Sequence, residues 1–205
     1  MTNPAIEAFQ NRDRDRVLDI LAEAYLTDPW TGLWFGGAGP DQLPLTRAFF
    51  SMVLSDTPTG THVVAVDDGA VVAFARWQPS PACQPSLEQA RGFRAAALAS
   101  LGGEVLSRMA PFLSLFRNRE PAAPHVHFGP FAVQPTLQGR GFGRILLERY
   151  CEELDRTGTA GWLETSTSTN VRLYSRSGFK VVSEDDIQGV PIWFMAREGR
   201  GSAAS

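Results

Sequence analysis

The stretch Phe131-Ala132-Val133-Gln134-Pro135-Thr136-Leu137-Gln138-Gly139-Arg140-Gly141-Phe142-Gly143-Arg144 decides how this chain is read. A short apolar strand, His127 to Val133, delivers the chain to a helix running from about Leu137 to Thr157, in which Phe142, Leu146, Tyr150 and Leu154 recur every four positions. A helix amino terminus has unpaired N–H groups and a partial positive charge, so it attracts a phosphate. Glycines at 139, 141 and 143 remove the side chains that would hold a pyrophosphate away, and they permit backbone angles that aim successive N–H groups at one anion. Arg140 and Arg144 add positive charge nearby. Glycines at a helix start serve a tight turn or close packing equally well, so the cluster alone leaves both readings open. A Walker A loop is excluded because no Gly-Lys-Ser/Thr ending is present, and the dinucleotide fingerprint fails because Leu146 stands where its third glycine belongs.

Outward from this turn, the chain alternates strands and helices. Val17, Leu18, Ile20, Leu21, Ala24 and Tyr25 give a helix over Asp13–Leu26 that Asp28-Pro29 stops, Leu33–Pro40 reads as a loop, and Leu45–Leu54 is a second helix. The β-branched runs Thr61–Val66 and Ala70–Trp77 flank Asp67-Asp68-Gly69, which predicts a hairpin. Leu87–Phe116 reads as two helices, broken near Gly102-Gly103 and Pro111. After the central helix come a strand over Gly161–Thr165, a short helix over Asn170–Arg176, and a strand pair formed by Gly178–Ser183 and Val190–Arg197. Hairpins at both ends with a strand-helix-strand crossover between predict an α/β chain: a mixed, mostly antiparallel sheet of six to seven strands flanked by helices. Residues 1–197 read as one domain and the tail from Glu198 as disordered.

Composition narrows the partners. The chain has 205 residues, 43% of them apolar, with a formal net charge of -3 and no basic stripe, which argues against nucleic acid. No run approaches the roughly 18 apolar residues of a membrane span, and Met1–Arg16 is polar, so the expectation is a cytoplasmic protein without a membrane partner. Cys83, Cys151 and the three histidines fit no metal-ligand spacing, so no metal is expected.

Gln138-Gly139-Arg140-Gly141-Phe142-Gly143 resembles the Gln/Arg-x-x-Gly-x-Gly/Ala signature of the GNAT acetyltransferases. Leu163-Glu164-Thr165, Asn170, Leu173-Tyr174 and Gly178-Phe179 follow in the order and spacing that this family shows after its pyrophosphate loop. The resemblance is strongest over His125–Lys180 and extends to Ile6–Trp77; His127-Phe128-Gly129-Pro130 makes it similar to the branch containing puromycin N-acetyltransferase. It implies the GNAT fold, acetyl-CoA as co-substrate, and acetyl transfer to a primary amine of a small-molecule acceptor. Two further readings stay open: a non-catalytic acyl-CoA-binding module, and an acetyltransferase acting on a protein amine. A homodimer is also left open.

The resemblance further implies roles for single residues. Phe131, Ala132 and Val133 would pair with the pantetheine arm, and Gln138, Gly139, Arg140, Gly141, Phe142, Gly143, Arg144 and Asn170 would complete the cofactor site. Tyr174, at the family's Asn-x-x-x-Tyr spacing from Asn170, would touch the cofactor and protonate the departing sulfur. His127 is a candidate base, a structural histidine being the alternative. Glu164 would hold or deprotonate the amine, or else serve packing, and His125 is a weaker candidate. Tyr25, Trp30, Trp34, Phe35 and Trp77 could line an aromatic acceptor pocket or belong to the core.

Overall fold

The computed structural model describes residues 4–37, 39–55 and 60–200. Its strands are β1 (Ala5–Ala8), β2 (Thr61–Asp67), β3 (Ala70–Pro79), β4 (His125–Val133), β5 (Ala160–Thr165), β6 (Lys180–Ile187) and β7 (Val190–Arg197). Its α-helices are α1 (Arg14–Tyr25), α2 (Pro29–Phe35), α3 (Leu43–Ser55), α4 (Leu87–Leu101), α5 (Gly103–Arg119), α6 (Phe142–Thr157) and α7 (Ser168–Arg176). The strands form one sheet in the order β1-β2-β3-β4-β5-β7-β6, antiparallel throughout except for β4 and β5.

Alternation along the strands divides the core between the two faces of the sheet. Val64, Phe74, Ala132, Trp162 and Phe194 point to the face covered by α1 to α5, whereas Val63, Ala65, Ala73, Ala75, Leu163 and Met195 point to the face covered by α6 and α7. The four-residue recurrence in α6 buries Phe142, Leu146, Tyr150 and Leu154 against that second face. The buried Tyr150 hydroxyl donates to the Val126 carbonyl at 2.5 Å. No Cβ fits at Gly161, where it would stand 2.5 Å from Leu154 Cδ1, so this glycine lets α6 lie close on β5.

Several elements depart from the sequence expectation. β1 was not expected: Ala-Ile-Glu-Ala is exposed and has no apolar alternation, and it is a strand only because β2 offers an edge. Leu33–Phe35 is helix rather than loop, because Asp28 and Pro29 begin α2 as well as ending what precedes it. The Asp28 carboxylate caps the Trp30 N–H at 2.9 Å, and Pro29 takes the first position, where its missing N–H costs nothing. Gly36, at φ 82°, then closes α2. Pro111 lies inside α5 on an exposed position rather than breaking it, and only Gly102 separates α4 from α5. The central helix starts at Phe142; Pro135–Leu137 is a separate 3₁₀ turn, which leaves 138–141 as the connecting turn. β6 extends to Ile187, beyond the expected Ser183. Of the expected tail, residues 201–205 lie outside the described residues, while the Arg200 N–H donates to Asp155 at 3.1 Å.

The opening that matters is made by β4 and β5. They pair only through His125–Ala160, Val126–Gly161 and His127–Trp162. Beyond this, β4 carries an extra residue relative to β3 between Phe128 and Phe131, at Gly129-Pro130, and such a bulge bends the strand. From Phe128 to Val133 the second edge of β4 has no strand partner among the described residues.

Candidate active site

The splayed strands open a cleft of about 450 Å³, walled by the free edge of β4, the 138–143 turn with the start of α6, and β5 with α7. Of the residues expected at a cofactor, Phe131, Ala132, Val133, Gln138, Gly139, Gly141, Phe142, Gly143, Arg144, Asn170 and Tyr174 line it. Gly139 and Gly141 have φ of 78° and 95°, backbone that disfavours any L side chain. At Gly143 a Cβ would stand 3.0 Å from Phe131 Cζ, so the first turn of α6 lies hard against β4. The N–H groups of Phe142, Gly143 and Arg144, at the start of α6, have no intrahelical acceptor and border the same cleft. This bare-backbone concavity at a helix dipole fits a diphosphate.

Arg140 is the exception among the expected residues. Its side chain leaves the cleft, lying 3.8 Å from Asp67 and over the Phe142 ring at 5.6 Å. Gln138 and Asn170 brace the walls: Gln138 Nε2 donates to the Val133 carbonyl at 3.3 Å, and Asn170 Nδ2 donates to Thr165 Oγ1 at 3.2 Å.

A second cavity of about 190 Å³ adjoins the cleft. Trp34, Phe49, Phe50, Arg76, Phe116 and His127 contribute to it, and Tyr25, Trp30, Phe131, Glu164 and Tyr174 line both spaces. Of the five aromatics named from sequence, Tyr25, Trp30 and Trp34 are therefore at the cavity. Phe35 is core beside Trp34, and Trp77 packs with Phe128 and Tyr150 on the opposite face of the sheet. Strand alternation explains Trp77: its neighbour Arg76 takes the cavity side.

The polar groups at the junction form a chain. Glu164 Oε2 is buried and has no well-aligned hydrogen bond among the described residues, although His127 Nε2 lies 3.2 Å away, within ion-pair distance. On its other side, His127 Nδ1 meets the two oxygens of Glu120 at 3.0 and 3.2 Å. Burial alone would lower the His127 pKa, but the Glu164 and Glu120 carboxylates outweigh it and raise the value to about 10. The resting imidazole is thus a cation held between two anions. Burial pushes Glu120 upward, yet hydrogen bonds from His127, His125 and Cys83 bring it down to about 2.

Tyr174 and Tyr25 are both pushed well above the ordinary phenol value, chiefly by burial, so each remains a neutral O–H donor at neutral pH. Asp28 is raised to about 6, again chiefly by burial, against hydrogen bonds from the Trp30 N–H and the Ser166 hydroxyl. Sequence reading missed Glu120, Arg76, Asp28 and Ser166 as site residues. Glu120 reaches His127 from the end of α5, and no periodicity or motif announces such a contact.

An acetyltransferase (GNAT) family model matches residues 22–179 of this chain. The chain belongs to the GNAT acetyltransferase family. As a GNAT enzyme it is an acetyltransferase, and its co-substrate is acetyl-CoA. Solved structures share the fold over nearly the whole chain. One, histone acetyltransferase HPA2 and related acetyltransferase from Corynebacterium glutamicum, is 22% identical, with a TM-score of 0.74 and coverage of 99% of this chain and 100% of that one. Arylalkylamine N-acetyltransferase 2 from Aedes aegypti is 16% identical, with a TM-score of 0.62 and coverage of 96% and 99%. A Salmonella typhimurium protein solved with its cofactor acetyl-CoA is 19% identical, with a TM-score of 0.57 and coverage of 100% and 98%. At these identities the likeness is one of fold. No helix among the described residues of this GNAT chain is long and apolar enough to cross a membrane.

Proposed function

We propose that this chain is an N-acetyltransferase that moves the acetyl group of acetyl-CoA to the primary amine of a small molecule by direct attack, without a covalent enzyme intermediate. One observation carries the reading: the cleft and the aromatic cavity meet at Tyr174 and Glu164, a carboxylate that lines both spaces and has His127 3.2 Å behind it. A buried anion of this kind suits an ammonium, and the aromatic walls suit an apolar or ring-bearing body.

In this proposal the turn 138–143 and the first N–H groups of α6 hold the diphosphate, and the free edge of β4 at Phe131–Val133 pairs with the pantetheine arm as an added strand. Acetyl-CoA supplies the thioester. Glu164 receives the ammonium and, with His127 behind it, takes the proton that must leave before nitrogen can attack. His127 starts as a cation, so it serves the pair by positioning Glu164 rather than by taking the proton itself. A β4 N–H stabilises the charge that grows on the carbonyl oxygen as the C–N bond forms. Tyr174 gives its proton to the departing sulfur as the C–S bond breaks.

The test is thiol release from acetyl-CoA across a panel of arylalkyl, alkyl and guanidino amines, with peptides bearing free amino termini or lysines alongside. Turnover with small amines is the expected result. Release with peptides alone would give the chain a protein acceptor, and binding of acetyl-CoA without release by any acceptor would make it a non-catalytic module.

A further inference from the structure

At the end of β4 away from the glycine turn, side chains of metal-ligand type converge from three separate segments. Cys83 comes from the turn after β3, Glu120 from the end of α5, and His125 is the first residue of β4. Cys83 Sγ lies 3.3 Å from Glu120 Oε1 and 3.5 Å from His125 Nε2, and that oxygen and nitrogen are 2.7 Å apart. The backbone braces the arrangement. The Ser80 N–H donates to the His125 carbonyl at 2.8 Å, the His125 N–H donates to Ser80 Oγ at 3.0 Å, and the Cys83 N–H donates to the Pro79 carbonyl at 3.1 Å.

The orientation of the His125 ring adds an independent clue. Its Nδ1 lies 2.8 Å from the Ala123 carbonyl, which can only accept, so Nδ1 carries the hydrogen. Nε2 then faces Glu120 Oε1 and Cys83 Sγ, and the thiol donates to the same carboxylate oxygen, so a cation that displaces the intervening hydrogens meets nitrogen, oxygen and sulfur around one point. A ring nitrogen fixed by a backbone carbonyl while the other faces a cation is the usual second shell of a histidine ligand.

We propose that Cys83, Glu120 and His125 form a binding site for a divalent cation of the zinc class, through thiolate, carboxylate and imidazole. The two anionic donors neutralise the ion, which a nearly buried site requires. Mixed sulfur, nitrogen and oxygen donors favour zinc or cobalt over calcium or magnesium, which take oxygen alone. Around a tetrahedral ion these donors stand roughly 3.3–3.6 Å apart, so the two sulfur distances already fit and the Glu120–His125 pair opens by roughly half an ångström. His127 Nδ1 reaches both Glu120 oxygens, so Oε2, at 3.2 Å, can keep that contact when Oε1 turns to the ion, which clips three distant segments together beneath the strand that carries His127. Cys83 and Glu120 lie 37 residues apart, and Cys83 and His125 lie 42 apart, so no ligand spacing in the sequence signals the site.

The experiment is cobalt titration of the full-length, chelator-treated protein under reducing conditions. Expected are one Co²⁺ per chain, a thiolate-to-cobalt charge-transfer band with intense tetrahedral d–d bands, and loss of all of them when Zn²⁺ is added. Cys83→Ala should abolish the charge-transfer band and His125→Gln should weaken binding by at least tenfold, whereas Cys151→Ser should change neither. A wild-type protein that shows no such band at saturating Co²⁺, or a band that survives Cys83→Ala or vanishes in Cys151→Ser, overturns the proposal whatever the amine panel shows.

Discussion

His127 Nε2 lies 3.2 Å from Glu164 Oε2, at the wall shared by the β4–β5 cleft and the aromatic cavity. The contact places a cation behind the carboxylate that lines both spaces, against an oxygen without a well-aligned hydrogen bond among the described residues. Removing the charge of Glu164 while keeping its shape should therefore separate amine handling from cofactor binding. Glu164→Gln is expected to lower kcat/KM for the amine by about 10²–10³-fold and to leave the Kd for coenzyme A within about twofold, as read by steady-state kinetics and calorimetry.

Tyr174 borders the same wall, and burial keeps its phenol protonated. If it delivers the proton to sulfur, Tyr174→Phe should lower kcat by about 10²-fold or more with little change in the amine KM. An unchanged kcat would reduce Tyr174 to a packing residue.

Asp28 offers a test in stability. Its pKa rises from an ordinary 3.8 to about 6 in the folded chain, chiefly through burial. The folded state thus binds the proton more tightly, so stability is complete below about pH 4 and falls as pH rises through about 6. The loss at that one group is of order 1–3 kcal/mol. Asp28→Asn keeps an oxygen able to cap Trp30 and accept from Ser166. It should flatten this decline and stabilise the protein at pH 7 by about 1–2 kcal/mol in urea titrations.

Gly161 is a packing test. An alanine Cβ there would lie 2.5 Å from Leu154 Cδ1, 2.8 Å from the Tyr150 hydroxyl and 3.1 Å from Phe179 Cζ. Two of these neighbours are rings fixed in the core, so Gly161→Ala should cost about 1–3 kcal/mol and lower Tm by several degrees.

What could be read ahead of the structure was whatever is written locally. The glycine turn, the Asp67-Asp68-Gly69 hairpin with Asp68 at φ 49°, and the strand Val190–Arg197 each depend on residues adjacent in the chain. What could not be read depends on residues that folding brings together. β1 exists through the edge of β2, Arg140 turns away because Asp67 and Phe142 attract it, and Glu120 reaches two histidines across the end of a helix. Asp28-Pro29 illustrates an intermediate case, since the same dipeptide that stops one helix is a favourable start for the next. Motif spacing therefore located the glycine turn proposed to hold the cofactor, while the cluster of Glu120, His127 and Glu164 emerged only from the convergence of β4, β5 and α5.

The most direct measurement is the calorimetric affinity of coenzyme A for the wild-type chain and for Gly141→Val. With φ at 95°, position 141 disfavours a β-branched residue, and it lies in the turn proposed to hold the diphosphate. The account predicts measurable binding by the wild type and at least a tenfold weaker Kd for a variant that retains its circular dichroism spectrum. A wild type that does not bind coenzyme A, or a folded Gly141→Val that binds as tightly as the wild type, would contradict it.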